Sequence, residues 1–464
     1  MYLSLQRGLS PFVHSLLDDL DRLIGPIFLV GDALRDSLRN KAAPDELTIL
    51  VSQALPLCQR KLQDAGYASA VMGTKQNSLL LPLKRKENPK MVEISAFRHR
   101  PSHPATVAED LFHRDISVNA MAFSWPDGPL IDPYNGRADL ENNVIRLVNG
   151  ADTLQEDPLR ALRFFRFTLQ LAGKPDPDDL QSSEATVPAQ VAQERVRAEF
   201  DQIFTLLLRD RFSQEMVYRL FRSVLGRELL PEFAAIHDCP ENPGDSQTAW
   251  ENSLRMLLNM TAPTPEEEVS FLDLRWAALL HQTGKGVCAK KDDSGKIVEY
   301  PGFHEETMRI NAGILNRLQF SKRRQRRINF MVQHMDIHQM PTDRGLRRLI
   351  EQTIPVEGLF RLLRAKKEAV PNLPPEEILK TAEEFSRCMR RCHLTREAML
   401  RLRPMDLALS GGEIIDMVRI PPGPWLGQLR QRLVEWVGQD PNRNQREFLV
   451  AQVREWICRE EGKI

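Results

Sequence analysis

The stretch VGDALRDSLRNKAAPDELTIL (30–50) decides the fold: it begins as an apolar strand, turns at a glycine, starts a helix and enters a second strand through acidic residues. A strand that delivers Gly31 into a helix start aims backbone N–H groups at an anion. Arg35 adds a planar guanidinium for phosphate oxygens, and Asp45 adds a carboxylate of the kind that holds Mg²⁺. The layout is typical of a nucleoside triphosphate site, although strand–glycine–helix turns are equally common in structural roles.

Two residues depart from that layout. Asp32 places a negative charge where a phosphate would approach, so it either repels nucleotide or serves as a relocated metal ligand. Leu47 stands two residues after Asp45, and residues two apart on a strand share a face. We therefore expect Asp45 and Leu47 to point together, so that a second carboxylate is missing unless a bulge turns Glu46 inward.

The composition gives broad limits. The chain has 464 residues, with 63 basic and 63 acidic side chains, so net charge alone does not indicate a polyanion partner. The six cysteines include no CxxC pair, which favours free thiols in a reducing compartment. The start of the chain lacks the basic and apolar regions of a signal peptide, and no apolar run approaches the ~20 residues of a membrane span. We expect a cytoplasmic protein without a membrane segment.

Hydrophobic patterning predicts a small α/β sheet domain followed by helices. Residues 11–24 form an amphipathic helix, and residues 55–67 form another that Gly66 ends. Glu93 alternates with aliphatic residues and should face away from them. After residue 150 the strand signals fade, and PDPDDLQSSEATVP (175–188) is predicted to be a loop. Strands are predicted at 27–31, 48–52, 78–83 and 91–98.

Three further motifs follow: HRDISVNAMAF (113–123), IDPYNGRADL (131–140) and EDPLRALRFFRF (156–167). Taken alone, they are a capped helix, a turn-rich loop and a helix with a charged face. In the third motif, Asp157, Arg160 and Arg163 fall at helical spacing and should share one face, which Arg166 continues. An aspartate and an arginine together offer the acceptor and donors that reading a base edge requires.

In this order and spacing, the motifs resemble those of bacterial class II tRNA nucleotidyltransferases (CCA-adding enzymes) and the related bacterial poly(A) polymerases. That family has a GGxVRD turn, a DxD strand entry, and the motifs RRDxxxNA, DPxxGxxDL and EDxxR. Here GG is Gly31-Asp32, and DxD is Asp45-Glu46-Leu47. QERVRAEFDQIF (193–204) resembles the neck helix of the family, and residues 405–453 resemble its tail.

The resemblance implies an α+β fold, in which a small polymerase-β-like sheet domain precedes a long all-α neck, body and tail. The implied domains are a nucleotidyltransferase head (1–148), a neck for base recognition (149–210), a degenerate HD-like body (211–350) and an RNA-binding tail (351–464).

Carried over residue by residue, the resemblance also implies a site. Asp45 and Glu93 would be catalytic and bind the metal, and Asp157 and Arg160 would pair with the incoming base. The other implied nucleotide-binding residues are Gly31, Asp32, Arg35, Arg114, Asp115, Asn119, Arg163 and Arg166.

The implied function is a template-independent RNA nucleotidyltransferase that adds C, A or both to tRNA 3′ ends, with CTP and ATP as substrates and Mg²⁺ or Mn²⁺ as cofactor. Two alternatives remain. A degraded paralogue would bind RNA and transfer nothing, and a poly(A) polymerase would use another RNA primer.

The body segment carries two further predictions. At the metal positions of an HD phosphohydrolase, the chain has Asn252 and the pair His281-Gln282, so we predict no phosphohydrolase activity. His281, His304 and His334 either bind a metal or are isolated core histidines. The run KRRQRR is either a solvated helix face or a phosphate-contact patch for RNA; its basic residues are Lys322, Arg323, Arg324, Arg326 and Arg327.

Overall fold

The computed structural model describes residues 9–39, 46–72, 78–83, 89–98, 106–262, 270–335, 342–351, 356–400 and 407–460. The chain divides into two compact units, Met1–Ala234 and Ala235–Ile464. This boundary falls inside the segment 211–350, and the four-domain division remains a prediction.

The first unit is built on a seven-stranded sheet with strand order β3-β4-β5-β2-β1-β6-β7. Strands β2 and β5 are parallel, whereas the other neighbouring strands are antiparallel. The four predicted strands are confirmed within one or two residues. The strands are β1 (Ile27–Val30), β2 (Glu46–Val51), β3 (Ala70–Met72), β4 (Ser78–Pro82), β5 (Met91–Ala96), β6 (Ala122–Ser124) and β7 (Leu130–Ile131).

The two faces of this sheet differ in character. Leu47 and Ile49 of β2 and Val92 of β5 point into the main core, which also contains the apolar faces of helices α1 (Pro11–Ile24) and α3 (Leu55–Asp64). Thr48 of β2 pairs with Glu93 of β5 on the opposite face. Since side chains alternate along a strand, this second face is the one that carries polar groups at the start of β2.

Helices complete the first unit, and one of them corrects a prediction. Segment 175–188 is a helix over most of its length, not a loop, because the Asp176 side chain accepts hydrogen bonds from the first N–H groups and Pro177 occupies the first turn. A two-residue parallel pair, β8 (Val144–Ile145) with β9 (Lys174–Pro175), lies nearby. The remaining helices are α2 (Gly31–Leu38), α4 (Val107–Phe112), α5 (Gly136–Asn142), α6 (Ala151–Glu156), α7 (Leu159–Leu171), α8 (Pro177–Ala185), α9 (Gln193–Leu206), α10 (Arg211–Arg222), α11 (Val224–Leu229) and α12 (Pro231–Ala234).

The second unit is mostly helical. Its exception within the described residues is a hairpin of β10 (Lys290–Lys291) and β11 (Ile297–Glu299), which the all-α prediction missed. No helix in the described part of the chain is long and apolar enough to cross a membrane. The helices are α13 (Ala249–Asn259), α14 (Phe271–Leu280), α15 (Lys285–Cys288), α16 (Phe303–Arg317), α17 (Lys322–Gln333), α18 (Asp343–Glu351), α19 (Val356–Glu368), α20 (Pro375–Leu400), α21 (Gly411–Val418), α22 (Pro424–Gln439) and α23 (Arg446–Glu460).

Candidate nucleotide-binding and catalytic site

The turn between β1 and α2 has the features of an anion cradle. Gly31 has a φ of +70°, a conformation that side chains with a Cβ rarely adopt. No side chain caps the start of α2, so its first backbone N–H groups donate to no capping side chain and can face a ligand. Arg114 Nη1 lies 3.9 Å from the position that a Cβ on Gly31 would occupy. A helix start and a guanidinium therefore meet at this glycine.

Arg35 is buried behind the turn rather than open to a ligand. Its Nε and Nη2 donate to both carboxylate oxygens of Asp36, at 2.9 and 3.0 Å. Its Nη1 donates to Asp32 Oδ1 at 2.7 Å and to Asn119 Oδ1 at 2.8 Å. Burial disfavours its charge, but the charges of Asp32 and Asp36 outweigh burial and raise the pKa of Arg35. Arg35 thus connects the turn to Asn119. Its guanidinium is also the positive group that pairs with the Asp32 carboxylate.

At the start of β2, Glu46 and Leu47 point to opposite faces of the sheet, as the alternation along a strand predicts. Leu47 is fully buried in the core, opposite Val92. Glu46 lies on the other face with Glu93, because β2 enters the ladder in register and needs no bulge. Burial raises the pKa of Glu46, and the charges of Glu93 and Asp32 raise it further. Glu46 and Glu93 thus share one face, whereas the expected absence of a second carboxylate beside Asp45 stays a prediction.

Asp45 lies outside the described residues. Among the residues that are described, no three His, Cys, Asp or Glu side chains are arranged to hold a metal ion.

Arg114 is held by an aspartate that the sequence analysis missed. Asp110 is buried, and it accepts hydrogen bonds from Arg114 Nη2 at 3.0 Å and from the backbone N and Nε of Arg98, each at 3.1 Å. Burial disfavours its charge, but the two arginines lower the pKa of Asp110 overall. The spacing of four residues between Asp110 and Arg114 on α4 and its end is the signal that could have indicated this pair.

Asp157 and Arg160 do not share a helix face. Asp157 is extended and precedes α7, and its Oδ2 accepts from Arg195 Nη2 at 2.6 Å. Burial raises the pKa of Asp157, but its bond with Arg195 outweighs that effect and lowers the pKa overall. Arg160 is buried and donates to the carbonyls of Thr153 and His113, at 3.1 and 2.7 Å. Pro158 between α6 and α7 explains the break in the helical spacing.

Glu199 of α9 binds both Arg163 and Arg166. It accepts from Arg163 Nε at 2.9 Å and from Arg166 Nε at 2.7 Å, and it is itself buried. Arg163 also lies 3.7 Å from Asp115, so the motifs at 113–123 and 156–167 meet here. Glu199 and Arg195 both belong to the stretch 193–204 quoted above, yet neither was predicted as a site residue.

The HD-like position of the second unit contains a hydrogen-bonded triad. His281 Nδ1 lies 2.8 Å from the Ala278 carbonyl, and Gln282 Nε2 lies 2.9 Å from His281 Nε2 and 3.1 Å from Asn252 Oδ1. Burial lowers the pKa of His281 well below its usual 6.5. His334 contacts the Phe330 carbonyl, and the ring of His304 lies 3.7 Å from that of Phe303.

The basic run forms the start of α17 and divides into two sets. Arg324 and Arg327 bind Asp273, which is fully buried, at 2.7 and 3.4 Å. The other three side chains are exposed: Lys322, Arg323 and Arg326.

Comparison with known proteins adds the family. Residues 27–146 match the family model of the poly A polymerase head domain. The chain is 28% identical over 271 residues to the multifunctional CCA protein of Pseudomonas fluorescens, which covers 57% of this chain and 64% of that protein. It is 27% identical over 344 residues to the A-adding tRNA nucleotidyltransferase of Deinococcus radiodurans, covering 72% and 75%. The chain thus spans less than two thirds of the first of these relatives.

Solved structures share the fold. The CCA-adding enzyme of Bacillus stearothermophilus, in complex with CTP, aligns with a TM-score of 0.61 at 20% identity, over 98% of this chain and 100% of that one. A tRNA nucleotidyltransferase complexed with a primer tRNA and an incoming ATP analogue aligns with a TM-score of 0.51 at 18% identity, over 79% and 96%. The resemblance to class II tRNA nucleotidyltransferases is confirmed, and residues 27–146 of this chain match the poly A polymerase head domain.

Proposed function

We propose that the protein is a template-independent RNA nucleotidyltransferase that adds C, A or both to the 3′ end of tRNA. The observation that carries the proposal is the convergence of the Gly31 turn, the guanidinium of Arg114 and the Glu46–Glu93 face of the sheet. The names of the relatives, a multifunctional CCA protein and an A-adding tRNA nucleotidyltransferase, support the same reaction.

In this reaction the 3′-hydroxyl oxygen of RNA forms a bond to the α-phosphorus of the nucleotide. The bond from that phosphorus to the oxygen leading to the β-phosphate breaks, pyrophosphate leaves, and the hydroxyl proton is released to a base or to water. We assign the triphosphate to the N–H groups at the start of α2 and to Arg114. Arg35 acts as a positioning residue, because it is buried and holds Asp32 and Asn119.

The donor chemistry fits a hard divalent cation such as Mg²⁺ or Mn²⁺. Glu46 and Glu93 offer carboxylate oxygens on one face, where burial first and then the charge of Glu93 raise the pKa of Glu46, and a cation would offset both effects. We propose that Glu46 joins Asp45 and Glu93 in holding the metal. When bound, such a cation stabilises the charge that develops on the attacking and leaving oxygens.

Base selection falls to the neck. We propose that Asp157 and Arg160 read the base edge of ATP or CTP, and that Arg163 and Arg166 support them. The pairs Asp157–Arg195 and Arg163–Glu199 fix the direction of two of these side chains before a nucleotide arrives. Such preorganisation lowers the entropy cost of forming a precise donor and acceptor pattern.

The test uses the full chain with tRNAs that end before the CCA, after C and after CC, with labelled CTP or ATP and Mg²⁺ or Mn²⁺. We expect one or more labelled nucleotides on tRNA, and loss of labelling with Glu93→Gln. Filter binding of the same tRNAs serves as the parallel measurement. Binding without incorporation at high protein concentration would show an RNA-binding protein, and long A tails on a generic RNA would show a poly(A) polymerase.

A further inference from the structure

His113 connects two parts of the proposed nucleotide site, although the proposed reaction gives its side chain no role. The residue ends α4, directly before Arg114. Its backbone carbonyl accepts hydrogen bonds from Arg98 Nη1 at 3.2 Å and from Arg160 Nη2 at 2.7 Å. Asp110 binds both Arg98 and Arg114. One carbonyl thus joins the arginine proposed for base reading to the arginines around Asp110.

The ring of His113 has a separate partner. Its Nδ1 lies 2.7 Å from Glu156 Oε1, a residue 43 positions later in the chain. Burial raises the pKa of Glu156, but its bonds and charge interactions with Arg160 and His113 outweigh burial and lower the pKa overall. The Glu156 carboxylate is therefore ionised at neutral pH and can only accept hydrogen bonds. The proton in this bond accordingly belongs to His113 Nδ1, which is the donor.

The other oxygen of Glu156 binds Arg160. Arg160 Nη1 donates to Glu156 Oε2 at 2.6 Å and to the Thr153 carbonyl at 3.1 Å. Together with the His113 carbonyl, these acceptors engage Nη1 and one hydrogen of Nη2. Among the described residues, the Nε–H and the other Nη2 hydrogen of this guanidinium then remain available for a base edge. The direction of these two donors depends on where Glu156 lies.

Glu156 needs both partners to keep its position. Its side chain is 42% exposed, whereas that of Arg160 is 8% exposed. A half-exposed carboxylate that pairs with a single arginine is held weakly, because water competes for it and its rotamers stay accessible. The bond from His113 occupies the second oxygen and so fixes the plane of the carboxylate. Without that bond, Glu156 can turn toward water, and Arg160 loses a fixed acceptor.

We propose that His113 is a positioning residue that determines nucleotide specificity by acting through Glu156 on Arg160. The inference rests on the proposed function, and it gives the ring an effect on which nucleotide is added. His113 stands where the family motif RRDxxxNA has its first arginine. An imidazole presents a single N–H at Nδ1 on a short, rigid ring, whereas arginine presents five donors on a long side chain. The bond to Glu156 is therefore a property of this chain's own residue at that position.

Initial rates of the full chain test the inference, with tRNAs that end before the CCA, after C and after CC, and with CTP, ATP, UTP and GTP. His113→Leu removes the ring donor and keeps the backbone carbonyl that Arg98 and Arg160 use. We expect selectivity, the kcat/KM of the favoured nucleotide relative to the other three, to fall about tenfold, mainly through a higher KM of the favoured nucleotide. His113→Asn, whose amide N–H can take the place of Nδ1–H, should keep selectivity within about twofold of the original.

A second variant shows whether the effect passes through Glu156. Glu156→Gln should lower selectivity as much as His113→Leu does, and the double variant should lose little more than either single variant, because both changes act on Arg160 by one route. Since Glu156 is 42% exposed, Glu156→Gln should remain folded, which urea unfolding checks for every variant. The matched control is His237→Leu, which removes an imidazole–carboxylate bond of the same 2.7 Å length, to Asp238, from the second unit and should leave selectivity unchanged.

The outcomes separate this inference from the proposed function. Incorporation by the original protein with unchanged selectivity in His113→Leu and Glu156→Gln would overturn the inference and leave the proposed function standing. Losses that add fully in the double variant, or an equal loss in His113→Asn, would also overturn it, because the ring would then act by another route. If the original protein incorporates no nucleotide, the proposed function fails and the inference fails with it.

Discussion

Glu46 and Glu93 stand on the same face of the sheet, on neighbouring parallel strands, while Leu47 points into the core on the opposite side. The chain thus keeps a second carboxylate on the polar face, one residue earlier than the DxD spacing predicts. Restoring an aspartate at position 47 would place it among aliphatic side chains.

Glu46→Gln should therefore lower metal-dependent nucleotide incorporation, roughly 100-fold or more, the scale on which enzymes lose rate when a group that stabilises transition-state charge is removed. Because Glu46 is exposed, the free energy of unfolding should stay nearly unchanged. Initial rates over a Mg²⁺ titration, together with urea unfolding, measure both effects. A rate within twofold of the original would remove Glu46 from the metal site.

Leu47→Asp should destabilise the first unit by about 3 kcal/mol or more, since it buries a carboxylate without a partner. Urea unfolding followed by circular dichroism measures this, with Leu47→Met as the control that keeps an apolar side chain. Higher activity in Leu47→Asp at unchanged stability would contradict the observed orientation of β2.

Asp32→Asn separates the two predicted roles of Asp32. Asp32 already pairs with Arg35, and the amide oxygen of asparagine can keep that hydrogen bond while the negative charge is lost. We expect the KM for the nucleotide to fall, because less negative charge faces the triphosphate. The Mg²⁺ concentration at half-maximal rate should not change; a large rise in it would show that Asp32 is a metal ligand.

Glu199→Ala should destabilise the first unit by about 3 kcal/mol, because two arginines lose one buried carboxylate. Thermal or urea unfolding measures the loss. The control on the same helix is Glu194→Ala, whose 66% exposed side chain lies 3.8 Å from Arg197 and should matter little. In a competition of CTP against ATP, Glu199→Gln should change the ratio of incorporated nucleotides, and an unchanged ratio would limit Glu199 to a purely structural role.

The basic run should behave as two sets. Arg323→Ala with Arg326→Ala should weaken tRNA binding and lower the slope of log affinity against log salt by roughly 1.5, as expected for two lost phosphate contacts. Arg324→Ala with Arg327→Ala should instead reduce the free energy of unfolding, since Asp273 loses both partners. Filter binding at several salt concentrations measures the first effect, and urea unfolding measures the second. If Arg323→Ala with Arg326→Ala left tRNA binding and its salt dependence unchanged, the exposed arginines would not contact RNA.

His281 should make the second unit sensitive to acid. Its folded pKa lies well below the usual 6.5, so the unfolded chain binds a proton that the folded chain does not. Stability is therefore complete above about pH 6.5 and falls below it, by up to about 1.4 kcal/mol per pH unit. Urea unfolding at pH 7.5 and 5.5 measures the slope, which His281→Asn should reduce; equal slopes in the two proteins would refute a buried neutral His281.

The sequence predicted four of the seven strands of the sheet, because the apolar runs of β1, β2 and β4 and the alternation along β5 are local signals. It placed Glu46 and Leu47 on opposite faces, but motif spacing alone could not show that Glu46 shares its face with Glu93, because that depends on the register of β2 against β5. It also missed the partners of predicted site residues. The bonds Arg35–Asn119 and Arg163–Glu199 join residues 84 and 36 positions apart, and no local pattern encodes them. Asp36, next to Arg35, could have been recognised from adjacency alone.

The place of β1 between β2 and β6 has a consequence for synthesis of the chain. As the protein leaves the ribosome, β1 emerges long before Ala122–Ser124, and until then one edge of an apolar strand has no partner. Asn119, the last partner of Arg35, emerges at the same stage. Truncations that end before Ile131 should thus aggregate, and the Gly31 turn should take its final form only after the sheet has closed around β1.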